Sequence, residues 1–254
     1  PKANSFQLSP NGKYLSYFEK DDNNKNHVYV KEIATGKVVR AIEEKDELIK
    51  GYGWVNNERL VFAMDQGGNE NYHIYAANID GSNVKDLTPF EGVQATILNN
   101  LKEQKDYIII QMNKNNKQIF EPYKLNVNTG DLTQLFENDD VNNPISGYDF
   151  DKDGNLRAYS KMVNGTESEL WYKDLETGEF NKIYHGKWYE GFGISRYNYA
   201  SKNPDEAYVE TNVGRDKSEI VLYDLKQNKE IKTLFSNPDY DVSGMGNRLF
   251  CLRR

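Results

Sequence analysis

HVYVKEIATGK (27–37), YHIYAANIDGSN (72–83), PYKLNVNTGD (122–131), LWYKDLETGE (170–179) and IVLYDLKQNK (220–229) are versions of one phrase. Each places a tyrosine inside a strand-sized run and follows it with a polar turn. The tyrosines are Tyr29, Tyr75, Tyr123, Tyr172 and Tyr223, separated by 46, 48, 49 and 51 residues. Gly36, Gly81, Gly130 and Gly178 occupy one phase of the turn, and Asn228 stands there in the last copy. Both residue types tolerate the positive φ that tight hairpins require.

Upstream of each phrase lies a second apolar segment: YLSYF (14–18), RLVFAM (59–64), YIIIQM (107–112), LRAYS (156–160) and AYVET (207–211). Each follows a polar turn: SPNGK (9–13), VNNER (55–59), LKEQKD (101–106), DKDGN (151–155) and SKNPDE (201–206). With the segment before that turn and the short one after the tyrosine phrase, every unit reads as four strands. Four strands at a period near 48 residues predict the blades of a β-propeller. A β-sandwich does not require the same turn chemistry at regular intervals, and no unit keeps a helical period.

The expected fold is therefore all-β, with four-stranded antiparallel blades over residues 5–44, 50–90, 93–138, 145–187 and 191–237. Tyr240-Asp241-Val242-Ser243-Gly244 looks like the first strand of a sixth blade. A lone extra strand leaves an edge, which argues for an incomplete ring within 1–244. The tail 245–254 does not continue the repeat.

Composition agrees with a sheet protein. Aromatics make up 13% of the 254 residues, and 18 are tyrosine, a residue suited to half-buried strands. Mean hydropathy is −0.83, as many short surface turns produce. Net charge is −7 with both signs scattered, which speaks against nucleic acid as a partner. No apolar run approaches the roughly 18 residues of a membrane span. The single cysteine, Cys251, excludes an internal disulfide and a cysteine-based zinc site. Neither a periplasmic or secreted nor a cytoplasmic location in a bacterium follows from these features.

No catalytic centre, metal site or cofactor site is expected in this chain, and the substrate-binding residues stay open. Gly193-Ile194-Ser195-Arg196-Tyr197 is the nearest approach to a hydrolase elbow, but it lacks the second glycine and lies at a first-strand position. Ser195 therefore reads as structural. His27, His73 and His185 have no metal or triad spacing. Asp149-Phe150-Asp151-Lys152-Asp153-Gly154 resembles the start of a calcium loop, but Ser160 stands where the twelfth, acidic ligand belongs. An ordinary hairpin is preferred there. There is no phosphate-binding glycine loop. DQGGNENYHIY (65–75) reads first as a tight connection with local hydrogen bonds, second as a loop facing a tunnel or partner. Trp54, Trp171 and Trp188 read as blade-packing residues.

FQLSPNGKYLSY (6–17), DQGGNENYHIY (65–75), DGSNVKDLT (80–88) and NPDYDVSG (237–244) resemble the propeller of prolyl-oligopeptidase-family serine peptidases, in the bacterial acylaminoacyl-peptidase and dipeptidyl-peptidase-like branch. The resemblance runs to about Gly244, and the 65–75 loop is its most specific part, since TolB-like propellers share the SPNGK-type turns. It implies an N-terminal propeller that covers a C-terminal α/β-hydrolase domain carrying a Ser-Asp-His triad. That hydrolase domain is absent from this chain, so no triad residue is carried over. The partners implied are the hydrolase domain and short peptides, with the propeller gating access and no activity expected from this chain alone. The alternative is a stand-alone TolB-like propeller acting as a protein-binding scaffold.

Overall fold

The computed structural model describes residues 2–65, 67, 68 and 70–243. Among them there is no helix, and about 52% of the chain is strand. The strands are β1 (Ala3–Leu8), β2 (Tyr14–Lys20), β3 (Asn26–Glu32), β4 (Val38–Ile42), β5 (Ile49–Trp54), β6 (Arg59–Met64), β7 (His73–Asn78) and β8 (Lys85–Asp86). They continue as β9 (Ala95–Asn99), β10 (Tyr107–Asn116), β11 (Ile119–Asn126), β12 (Leu132–Gln134), β13 (Ile145–Phe150), β14 (Leu156–Val163), β15 (Glu167–Lys173) and β16 (Phe180–Lys187). The last are β17 (Phe192–Tyr197), β18 (Glu206–Thr211), β19 (Glu219–Asp224) and β20 (Lys229–Phe235). Consecutive groups of four form five separate antiparallel sheets in sequence order. This is the all-β propeller architecture that the repeat implied.

The repeat has a geometric counterpart in register. Tyr29, Tyr75, Tyr123, Tyr172 and Tyr223 all lie in the third strand of their sheets. Their second-strand partners are Tyr17, Phe62, Ile110, Ala158 and Ala207. The turn after each tyrosine has positive φ where expected, from Gly36 at 74° to Asn228 at 52°.

The chain divides into two compact units. The first holds residues up to Asn138 together with Lys152–Gly154. Its strands β6 and β7 are buried on both faces, which explains their near-continuous apolar runs. Leu60, Phe62, Tyr75 and Ala77 pack with Val28, Val30 and Ile42 of the first sheet. Their alternating neighbours Val61, Ile74 and Ala76 pack with Ile108, Ile110 and Leu125 of the third. The second unit holds Asp139–Asp151 and the chain from Asn155 onward. Its core joins Ala158, Leu170 and Tyr172 to Tyr197, Ala207, Val209 and Val221.

Within each unit, the turns between first and second strands are fastened to one another at the repeat distance. In the first unit the Asn11 N–H donates to Asn57 Oδ1 at 2.9 Å, Asn56 Nδ2 to the Lys105 carbonyl at 2.9 Å, and Gln104 Nε2 to the Asp153 carbonyl at 2.6 Å. In the second, Arg157 Nη2, just past such a turn at the start of β14, donates to the carbonyl of Pro204 in the next turn at 3.0 Å.

Gly81 illustrates how tightly neighbouring sheets fit. Its φ is 85°, and a Cβ there would meet the Arg40 carbonyl oxygen at 3.1 Å. Gly36 has a similar φ, 74°, but open space around it. Gly36→Ala is expected to cost about 1 kcal/mol and Gly81→Ala about 2–3 kcal/mol, read from urea unfolding midpoints. Equal losses would show that the neighbouring carbonyl contributes nothing.

Residues Tyr240–Ser243 form no strand. Instead the Val242 N–H donates to the Ser218 carbonyl at 2.9 Å, and Asp241 Oδ1 accepts the Ser218 N–H at 2.8 Å. Gly244 and the tail 245–254 lie outside the described residues.

Candidate functional site

Every sheet has two unlike ends. The turns joining strands one to two and three to four share one end, where the repeated turn chemistry sits. The two-to-three loops and the connections onward share the other, and their sequences do not repeat. Irregular loops on a rigid scaffold are where binding residues concentrate.

In the first unit the β6–β7 loop is tied down at this irregular end. Gly67, Gly68 and Glu70 all have positive φ, at 70°, 71° and 61°. The Gly67 N–H donates to Glu47 Oε1 at 2.8 Å. Lys50 Nζ lies 4.0 Å from the Tyr72 ring centroid, and the Tyr72 carbonyl accepts the Ala95 N–H at 2.8 Å. Both Gln66 and Asn69 lie outside the described residues.

In the second unit a groove of about 440 Å³ runs beside β16, β19 and β20. Its floor is aromatic. Tyr184 stacks on Phe192 at 5.2 Å, and Phe192 meets Tyr223 edge-on at 5.0 Å. Gly186 makes room for the Tyr184 ring, since a Cβ there would overlap the phenol. The walls are charged. Arg215 pairs with Glu219 at 2.5 Å and Glu230 at 2.6 Å, whereas Glu190 has no ion-pair partner among the described residues. On the same turn as Glu190, Trp188 is 81% exposed and meets Tyr189 edge-on at 5.6 Å.

Beneath the surface of this unit lies a buried polar cluster. Arg157 donates to the Tyr172 hydroxyl, which donates to Asp205 Oδ1 at 2.7 Å. The Arg157 guanidinium also lies 4.9 Å from the Tyr197 ring centroid. Arg157 Nε, the Tyr197 hydroxyl and Ser195 Oγ are buried without hydrogen-bond partners among the described residues. Burial raises the Tyr172 phenol above its ordinary range, as does its bond to Asp205. Asp149 retains partial surface access but is densely surrounded, and burial pushes its carboxyl up to about 7. Its charge in turn adds to the burial that raises the Tyr197 phenol.

No family model matches the chain. Over 159 residues it is 31% identical to dipeptidyl aminopeptidase BIII of Pseudoxanthomonas mexicana, covering 62% of the chain and 22% of that protein. Over 181 residues it is 28% identical to dipeptidyl peptidase family member 6 of Caenorhabditis elegans, covering 68% of the chain and 23% of that protein. Among solved structures, a prolyl endopeptidase superposes with a TM-score of 0.63 at 13% identity, over 88% of this chain and 34% of its own. The chain is a propeller domain similar in sequence to part of these dipeptidyl peptidases and in fold to the propeller of a prolyl endopeptidase. It spans less than a quarter of the length of the curated relatives it matches. TolB of Acinetobacter baumannii shares the fold at a TM-score of 0.50 and 16% identity, over 90% of this chain and 53% of its own.

In this propeller, Ser195 occupies a β-bulge. The register skips it between Ile194 and Arg196, and the first two strands of every other sheet show a comparable irregularity. A bulge re-aims a strand, and here that accounts for Ser195. Each histidine faces a carboxylate. His27 Nδ1 accepts the Glu44 N–H at 3.0 Å, leaving Nε2 to face Asp21 at 3.2 Å. His73 lies 2.8 Å from Asp86, and His185 2.9 Å from Glu167. The first two lock third strands to the chain that follows. The stretch 149–154 is the end of β13 and a hairpin turn, in which Asp151 Oδ1 accepts the Asn155 N–H at 2.9 Å. Among the described residues no group of three or more His, Cys, Asp or Glu is placed to hold a metal, and no helix is long and apolar enough to cross a membrane.

Two of the tryptophans pack as expected. Trp54 is buried and donates to Ser16 Oγ at 2.9 Å, and Trp171 stacks on Tyr159 at 6.1 Å. Trp188 does not, because the turn after β16 carries it into solvent. The groove, Glu190 and the Arg157 cluster escaped the sequence reading. Their members are scattered over six strands and three loops, and no spacing marks them.

Proposed function

We propose that this propeller gates access to a serine peptidase catalytic domain outside this chain and helps to hold short peptides for it. The observation that carries the reading is the match to a dipeptidyl aminopeptidase over only 22% of that protein's length. Most of such a relative lies beyond the part this chain resembles, which leaves room for a catalytic domain. The mechanism is steric. Sheets that are fastened turn to turn make walls that do not yield, so a folded protein is kept from the nucleophile while a short, flexible peptide passes. The irregular ends of the sheets, including the tethered 65–72 loop, supply the contacts that select among those peptides.

Two measurements test this. The coding sequence downstream of Arg254 is expected to continue to a Gly-x-Ser-x-Gly and a later Asp and His. The protein it encodes is expected to cleave tri- to hexapeptides and spare folded casein-sized substrates, with the 254-residue chain alone inactive. A stop after Arg254 would sink the reading and point to a TolB-like binding scaffold. Cleavage of long and short substrates at equal rates would sink the gating.

A further inference from the structure

We infer that the groove beside β16 and β20 is a docking site for an extended, lysine- or arginine-bearing segment of a partner protein. The inference uses no property of the peptidase family and stands whether or not the chain gates an enzyme. Three observations point to a basic occupant. The floor is built of the Tyr184, Phe192 and Tyr223 rings, and the electron-rich faces of such rings, unlike their edges, attract a cationic side chain. The walls are acidic in balance: Arg215 already serves Glu219 and Glu230, and no cation among the described residues pairs with Glu190. An unpaired carboxylate beside aromatic rings is arranged to receive a charge-assisted hydrogen bond from outside.

The rim supplies the remaining part of an interface. Trp188, 81% exposed, and Tyr189, 55% exposed, stand on the turn that carries Glu190. Exposed Trp and Tyr next to a groove are typical anchors of protein recognition. Two exposed aromatics on one turn cost hydration free energy that burial under a partner would recover. β16 is also an edge strand of its sheet, so one row of its backbone groups has no strand partner within that sheet. In the same unit His185 is held by Glu167 and Lys182 by Glu169, so neither side chain stands opposite Glu190.

The test is fluorescence anisotropy with a fluorescein-labelled Gly-Ser decapeptide carrying a central Arg-Lys pair, against the same peptide with Glu-Glu. The 254-residue chain in 50 mM salt is expected to bind the basic peptide saturably and the acidic one at least about tenfold more weakly. Glu190→Gln is expected to weaken the basic peptide about tenfold, and Trp188→Ala about threefold. Both positions lie on a surface turn, and an unchanged far-ultraviolet circular dichroism spectrum confirms that each variant folds. The basic peptide is also expected to shield Trp188 from acrylamide quenching, a change lost in Trp188→Phe. The inference is overturned by equal binding of the two peptides, by indifference to Glu190→Gln, or by no saturation up to millimolar peptide.

Discussion

Arg157→Met is expected to destabilise the protein by about 3–5 kcal/mol, the range for stripping one partner from a buried ionic network. Arg157 is the second residue of β14 and is 6% exposed. Its guanidinium donates to the Tyr172 hydroxyl and to the Pro204 carbonyl, and lies 3.7 Å from Asp205 Oδ1. Methionine preserves most of the volume but removes the charge. The Asp205 carboxylate, 7% exposed, would then keep the Tyr172 hydroxyl and the field of Lys226 but lose the guanidinium 3.7 Å away. Arg59 makes a useful comparison, because it occupies the start of β6 and is equally buried. Its partners are neutral: the Val127 carbonyl at 2.9 Å and Asn78 Oδ1 at 2.7 Å. Arg59→Met is therefore expected to cost less, about 1–3 kcal/mol. Urea unfolding of both variants and a double-mutant cycle with Asp205→Asn measure the difference. The second substitution should recover part of the Arg157→Met loss. If the cycle shows no coupling, charge pairing is not what holds this cluster.

The second large effect concerns pH. Because burial pushes the Asp149 carboxyl up to about 7, the folded state holds its proton where the unfolded chain has released it. Its contribution is therefore present in full below the unfolded carboxylate value, near pH 4. It is lost as pH rises through about 7, after which the profile is flat. Asp21, Asp80 and Asp174 have the opposite sign. Backbone or side-chain hydrogen bonds hold their carboxyls low, so their stabilisation disappears as pH falls below about 4. Wild type should accordingly lose stability between about pH 4 and 7, and Asp149→Asn should remove most of that slope. At pH 8 the variant is expected to be more stable by on the order of 2–4 kcal/mol, after allowance for the partial exposure of the group. Thermal unfolding at half-unit pH intervals decides the matter. Parallel profiles for the two proteins would mean that Asp149 is solvated in the native state.

Asp149 also shows where sequence reading runs out. In the sequence it is the first residue of DFDKDG, legible as a hairpin or an unfinished calcium loop. The hairpin was readable because Asp151 caps its own turn within a few residues. The burial of Asp149 was not, because it depends on what is packed around β13. Trp188 makes the same point in reverse. Its residue type argued for packing, and only the direction of the turn after β16 put it in solvent.

The strands, their order and their grouping into repeated four-stranded units were legible in the residues alone. Alternating burial and positive-φ turns are local properties, each set within a few residues and repeated five times. The sequence also carried the likeness to peptidase propellers, through the turn and loop phrases. What the tertiary structure alone decided are the fastenings between turns 46 to 49 residues apart, the Arg157–Tyr172–Asp205 cluster and the acidic aromatic groove. Those depend on which side chains from separate strands come within hydrogen-bond distance. That is a matter of sheet twist and sheet-on-sheet packing, and neither leaves a period in the sequence.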